Sequence, residues 1–520
     1  MRSIHLCALL LCAGLVGCGI NPVTGKKELQ FISGAQEVKI GEQNYAPTRQ
    51  GEGGDLKVLP ELTAYINEVG RKLSAVSDRE LPYEFAVLNN SVPNAWALPG
   101  GKISVNRGLL TELKNEAELA AVLGHEIVHA AARHGAKAQE RGTIMQVGMV
   151  AATIGAGVSG VDSNLAGLMI QGAGVGTQLI QSKYGREQEL ESDKFGMKYM
   201  KAAGYDPDGA VTLQETFVRL SEQSGQQQNW IEGLFASHPP SPERVQQNIL
   251  TANQLGRGGD LGAERYQMRL AGLRQIKPAY DKLDEATKLA NKKEYGPARK
   301  LTEEAVQLVP RESRFHELLG DLDLAEKKSE AALPHYRKAI ELDPDYYGPY
   351  LGGGIAQLQT GNKAKAEEWL TRSAQLLPTA PAAYFLGNIL RERGDVSGAT
   401  QYYRAAAGSN SSYGKRAAGE LVRMDLPQNP GNYLAAGAQF DAQGRLVVVV
   451  QNRSPVPLTD IRVTPALVDQ VGRVVQQGSQ VRLSSIVKPG EQVGVPAGFA
   501  VPPQQQPFVR LRIDSASVAE

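Results

Sequence analysis

The run His125-Glu126-Ile127-Val128-His129 places two histidines four residues apart, with a glutamate beside the first. On a helix such residues lie about 40° apart around the axis and one turn along it, so both imidazoles can reach one metal ion. Glu126 then stands where it can take a proton from a water attacking a carbonyl, the chemistry of metal-assisted peptide hydrolysis. The plain alternative is a solvated helix carrying two histidines by accident. Against it, the chain of 520 residues has 7 histidines, and these two fall at ligand spacing inside an apolar, alanine-rich run.

Two histidines leave the metal short of a third ligand. The position six residues beyond His129, where a metzincin has its third histidine, is Gly135. His134, on a continued helix, lies nearly opposite His125 and reads as a surface residue. A carboxylate from a later helix is the other route, and Tyr184-Gly-Arg-Glu-Gln-Glu189-Leu-Glu-Ser-Asp193 offers one. Glu189 and Asp193 share a helical face, so Glu189 can bind the metal while Asp193 accepts the free N–H of a ligating histidine. Glu187 and Glu191 compete for the ligand role, and spacing alone does not exclude them.

The HExxH run, the later Arg186-x-x-Glu189-x-x-Ser192-Asp193 and the earlier Pro93-Asn-Ala-Trp-Ala-Leu-Pro-Gly-Gly101 together resemble the HtpX/CAAX-prenyl-protease-type zinc metalloproteases, which are gluzincins. The resemblance covers about residues 20–250. The family pattern Arg-x-x-Glu-x-x-Ala-Asp implies Glu189 as the third zinc ligand, beside His125 and His129, and Asp193 as the supporting acid. Ser192 and Gly185 depart from it conservatively. By the same resemblance Asn94, Ala95, Trp96 and Ala97 form an edge strand along which an extended substrate lies. In His238-Pro-Pro-Ser-Pro-Glu-Arg244, it implies His238 as a gate over the zinc and Arg244 as a group stabilising the oxyanion. One Zn2+ per chain is expected, with Glu126 as general base.

These side chains need a scaffold. Leu62, Ile66, Val69 and Leu73 recur at helical spacing, Tyr83 to Leu88 alternates like a strand, and Lys102 to Val105 reads as a second strand. Thr111 to about Gly135 reads as the helix that carries the two histidines, with Gly135 at its end. Residues 142–182 hold a single charge, Asp162. About half of its first twenty residues are Gly, Ala, Ser or Thr, too weakly apolar for a membrane span, so a buried or interfacial helical hairpin is expected.

The N-terminus points to the envelope. All 3 cysteines (Cys7, Cys12 and Cys18) lie in an Arg2-led apolar stretch ending Leu15-Val16-Gly17-Cys18. That is a signal peptide whose end resembles a bacterial lipobox, with Cys18 as the lipidated residue. Gly19 in place of an aspartate favours the outer membrane, and Asn21-Pro-Val-Thr-Gly-Lys26 resembles the tail of lipoproteins of this family. Lys+Arg 56 against Asp+Glu 55 gives no reason to expect nucleic acid.

Beyond Lys277 the chain repeats. Pro310, Pro344 and Pro378 recur at the tetratricopeptide period, with Ala298, Ala332, Ala366 and Ala399 in step and Gly320, Gly354 and Gly387 in the preceding helices. Four units over about 277–412 and a capping helix to about Val422 follow. From Pro427 short β runs separated by Gly, Pro and Asn suggest a β-sandwich. With the repeats included, the resemblance is to the BepA-like periplasmic proteases.

The expected fold is α+β: a mainly helical gluzincin-type metalloprotease domain with a small sheet, an α-solenoid of tetratricopeptide repeats, then a small all-β sandwich-like domain. The expected bounds are 1–17 signal peptide, 18–56 lipidated tether, 57–256 protease, 277–425 repeats and 430–517 β domain. The expected function is a zinc endopeptidase on the periplasmic face of the outer membrane, acting on unfolded or mis-assembled envelope proteins. The repeats would recruit clients or the outer-membrane assembly machinery. A chaperone-like assembly factor that binds through its repeats and seldom cleaves is the alternative.

Overall fold

A computed structural model describes residues 18–140, 183–222 and 233–519. The expected signal peptide and the 142–182 hairpin lie outside these residues. No described helix is long and apolar enough to cross a membrane. The chain divides into two compact units, Met1–Pro378 and Thr379–Glu520.

The first unit opens with a hairpin of β1 (Cys18–Ile20) and β2 (Lys27–Leu29), followed by α1 (Gly34–Gly51). The helical patch that the sequence suggests within this polar tether, around Ala35–Asn44, is α1, but the segment as a whole is tied down. Its polar residues are paired rather than solvated: Glu37, fully buried, meets the guanidinium groups of Arg79 and Arg133. Tyr45 donates to the Ile103 carbonyl at 2.6 Å. Behind α1 come α2 (Pro60–Ser74), β3 (Glu84–Leu88), β4 (Ala95–Leu98) and β5 (Lys102–Asn106). The sheet order is β3-β5-β4, with β3 parallel and β4 antiparallel to β5. Leu62, Ile66, Val69 and Leu73 all point from α2 into the core, as their spacing requires.

The histidine helix, α3, runs from Glu116 to Ala131. It starts later than Thr111 because Asn115 caps it, accepting from the Glu118 N–H at 2.8 Å. It ends before Gly135 because Arg133 turns to φ +66°, and a separate helical segment begins at His134. All of α3 is buried. α4 (Arg186–Ala202), α5 (Asp208–Glu222) and α6 (Pro242–Leu255) complete the layer around it.

Paired helices follow in the same unit: α7 (Ala271–Asn291) with α8 (Tyr295–Leu308), α9 (Ser313–Ala325) with α10 (Ser329–Leu342), and α11 (Tyr347–Gln359) with α12 (Lys363–Leu376). The repeated small residues let each pair close. A methyl group on Gly320 would sit 2.8 Å from the Tyr336 ring, and Tyr336 donates to Asp321 at 2.7 Å.

The second unit begins with another pair, α13 (Ala380–Glu392) and α14 (Val396–Ala407), and a capping helix α15 (Ser412–Asp425). Here Tyr403 packs on Gly387 and donates to Asn388 at 2.7 Å, the same arrangement two repeats on. Two antiparallel sheets then stack face to face. One is ordered β10-β8-β12 with β9 beside β8, the other β11-β7-β6. In chain order these are β6 (Leu434–Phe440), β7 (Arg445–Asn452), β8 (Leu458–Val468), β9 (Val474–Gln477), β10 (Val481–Leu483), β11 (Gln492–Ala500) and β12 (Val509–Val518). Leu446, Val448, Val450, Ile461 and Val463 fill the space between. The α+β architecture, with its solenoid and sandwich, is as the sequence led us to expect.

Candidate metal centre

The site is built where α3 and α4 cross at two glycines. The Gly196 Cα lies 3.3 Å from where a Cβ on Gly124 would sit, so the backbones nearly touch. That contact carries Glu189 and Asp193 of α4 to the histidine face of α3. A Cβ on Gly196 would come within 3.0 Å of the His125 backbone nitrogen. Gly196→Ala is therefore expected to cost about 1–3 kcal/mol of stability through overpacking. It should weaken metal binding as well, because the helices must separate; thermal unfolding and metal titration check both effects.

Ligand atoms from His125, His129, Glu189 and His238 all lie within 4.8 Å of one another. His125 Nε2 is 2.9 Å from His129 Nε2, 3.2 Å from His238 Nδ1 and 3.5 Å from Glu189 Oε2. Glu189 Oε1 is 3.4 Å from His129 Nε2 and 3.1 Å from His238 Nδ1. A tetrahedral zinc with bonds of about 2.0–2.1 Å has donor–donor edges of about 3.3–3.4 Å, so the cluster has the right size.

The charge balance also fits. Glu126, Glu189 and Asp193 are buried carboxylates and Arg244 is the permanent cation among them, three against one, a deficit that a divalent ion would fill. Glu126 Oε2 and Glu189 Oε2 are buried without a hydrogen bond, although Arg244 Nη1 lies 2.8 Å from the latter as an ion pair. The residues present fit a divalent metal.

Burial holds His129 well below the usual histidine range, and the neighbouring histidines add to this, so it is neutral as a ligand must be. Burial opposes ionisation of Glu189, yet His238, Arg244, His125 and the bond from His129 together hold its carboxyl well below the usual range. Burial pushes Glu126 up, the direction that suits a general base. A cavity of about 30 Å³, room for a water, reaches it; Val122, Met197, Leu213 and Phe217 line its apolar side, and His125, Asp193, His238 and Arg244 its polar side.

Asp193 Oδ1 accepts from His125 Nδ1 at 2.8 Å. Arg244 grips the same carboxylate with Nε and Nη2, both at 2.7 Å, and donates from Nη1 to the Pro239 carbonyl at 3.2 Å. Among the glutamates left open by spacing, Glu187 is exposed and Glu191 turns toward His134, leaving Glu189 in the cluster.

His134 is a correction: it is 1% exposed, not a surface residue. The 100° per residue count stops at Ala131, and the turn at Arg133 swings the next segment back so that His134 meets His129. No sequence signal marked that turn, since arginine rarely adopts positive φ. Asn94 to Ala97 form or precede the edge strand β4. Trp96 points away from the cluster onto Tyr45 at 6.0 Å, while Ala95 and Ala97 pack in the core with α3. His238 does reach the cluster, as a fourth donor.

A buried helix presenting two imidazoles and a carboxylate, crossed by a second helix presenting another carboxylate, is the arrangement of a metal-dependent peptidase. Residues 60–249 match the model of Peptidase family M48, and residues 283–347 and 323–389 match models of the tetratricopeptide repeat. The "Beta-barrel assembly-enhancing protease" of Yersinia pestis is 29% identical over 63% of this chain and 71% of its own length. The protein of that name from Escherichia coli (strain K12) is 25% identical over 68% of this chain and 76% of its own. The "Mitochondrial metalloendopeptidase OMA1" of Schizosaccharomyces pombe is 32% identical over 43% of this chain and 63% of its own. The chain carries a family M48 metalloprotease domain followed by tetratricopeptide repeats.

Proposed function

We propose that this chain is a zinc endopeptidase, lipid-anchored through Cys18 at the periplasmic face of the outer membrane, that cleaves misfolded or mis-assembled envelope proteins. The observation that carries the reading is the convergence of His125, His129 and Glu189 donors beside a buried, unpartnered Glu126 oxygen. When bound, zinc supplies Lewis-acid polarisation of the scissile carbonyl and acidifies the attacking water. Glu126 takes the water's proton and passes it to the leaving amine. Asp193 keeps His125 in the tautomer that frees Nε2, and Arg244 holds Asp193 and Glu189 in register and is the cation assigned to stabilise a developing oxyanion. The main chain of β4, with β5 on one side only among the described residues, pairs with an extended substrate and so selects little by side chain. The repeats recruit clients or assembly partners, a reading the names of the two bacterial relatives support.

The test is capture. A Glu126→Gln chain expressed in the envelope should retain clients that the wild type degrades, and proteomics of the retained fraction identifies them. Retention of no envelope protein would leave the proposal without its substrate class. Lipidation is tested by fractionation: Cys18→Ala should move the protein from membrane to soluble periplasmic fractions, because acyl chains provide the anchoring energy.

A second reading, a chaperone-like assembly factor that seldom cleaves, draws on His238. Its Nδ1 lies among the ligand atoms and its Nε2 is 3.5 Å from Glu126, so it closes the site in this conformation. Pro239 and Pro240 stiffen the loop that holds it. We read His238 as a gate. His238→Ala should raise casein cleavage several-fold with metal content unchanged; a several-fold fall would instead assign it to transition-state stabilisation.

A further inference from the structure

We propose that Glu191 and His134 form a proton-ordering relay that positions His129 as a metal ligand, anchored by the N-terminal hairpin behind Cys18. The inference rests on reading the histidine cluster as a metal site. A ligating imidazole must present a lone pair to the metal, so its other nitrogen must carry the proton. For His125 the answer is direct, since Asp193 can only accept and so draws the proton to Nδ1.

His129 has no carboxylate at its Nδ1. That nitrogen instead faces His134 Nδ1 at 3.0 Å, and of two facing ring nitrogens one must donate and the other accept. His134 Nε2 lies 3.4 Å from Glu191 Oε1. A carboxylate cannot donate, so it draws His134's proton to Nε2 and leaves His134 Nδ1 as the acceptor. His129 then carries its proton on Nδ1, and its Nε2, which Glu189 Oε1 faces at 3.4 Å, offers a lone pair once the metal engages Glu189. The relay does from a distance what Asp193 does by contact.

Glu191 is itself held in place. Asn21, 1% exposed, donates from Nδ2 to Glu191 Oε1 at 3.0 Å. The amide's orientation is set because its oxygen accepts from the Val23 and Thr24 N–H groups at 2.9 and 3.2 Å. The hairpin around Asn21 is clasped to the segment that starts at His134. Glu28 pairs with Lys137 at 2.5 Å, and Glu140 accepts from the N–H groups of Phe31 and Ile32 at 3.0 and 2.8 Å.

Glu191→Leu tests the relay in the full chain, because an apolar side chain of similar size cannot accept from His134 Nε2 and so removes the ordering, whereas Glu191→Gln would keep an amide oxygen facing Asn21 Nδ2 and His134. The Glu191 side chain is 19% exposed, so the variant should fold with metal-free thermal unfolding close to wild type. Zinc affinity, measured by chelator competition, should fall about 10–100-fold. Ring 15N signals of labelled histidine in the metal-free protein should report His134 as the Nε2–H form in the wild type and not in the variant. His134→Phe should lose affinity similarly; if it fails to fold, Glu191→Leu decides. An unchanged His134 tautomer with zinc affinity within about twofold of wild type overturns the relay. If the wild type takes up no zinc, the metal-site reading fails, while the tautomer measurement still tests the relay.

Discussion

Glu126→Gln should keep its bound metal and lose peptide hydrolysis by on the order of 10²–10⁴-fold, the range a single general base supplies. The substitution conserves size, so the helix and the ligand atoms of His125, His129 and Glu189 stay in place. What disappears is proton acceptance at the buried Oε2, which has no other partner and is reached by the water-sized cavity. The separation of the two readouts is the point. Unchanged metal with lost turnover assigns Glu126 to proton transfer, whereas joint loss would mean that the site had collapsed. Cleavage that survives undiminished would remove Glu126 from the mechanism.

His129→Ala should lose both metal and activity. Apparent zinc-binding energies of about 10–16 kcal/mol shared over three protein ligands give about 3–5 kcal/mol each, so the dissociation constant should rise about 10²–10⁴-fold. His129 is the donor with most invested in it. It is 1% exposed, packs against the Tyr184 ring at 3.8 Å between centroids, and is neutral because burial disfavours its cation. Removing the ring also empties space between α3 and Tyr184, so some loss of metal-free stability accompanies the loss of metal. Metal content after dialysis, together with a zinc titration, checks the result. Full occupancy in this variant would mean that His134, the nearest other imidazole, had taken over the position.

The amino-acid sequence by itself determined the chemistry and the broad architecture. Ligand spacing on one helix is a local property, so His125 and His129 were legible as a pair without any tertiary information. The 34-residue recurrence behind Pro310, Pro344 and Pro378 and the alternating runs after Pro427 are likewise local signals, and the paired helices and stacked sheets follow them. Only the tertiary structure decided which partners those residues meet. Glu189 is separated from Glu187 and Glu191 by the direction in which α4 crosses α3, which the close backbone approach at Gly124 and Gly196 sets. His134 joined the site because a non-glycine residue, Arg133, took a left-handed turn held by buried partners, Glu37 and the Ile32 carbonyl. The hairpin at Asn21 looked like a polar tether because hydropathy counts polar residues as solvated. In the fold Asn21 is buried on Glu191 and the Phe31 and Ile32 N–H groups meet the buried Glu140, partners more than a hundred residues away that no local pattern in the sequence encodes.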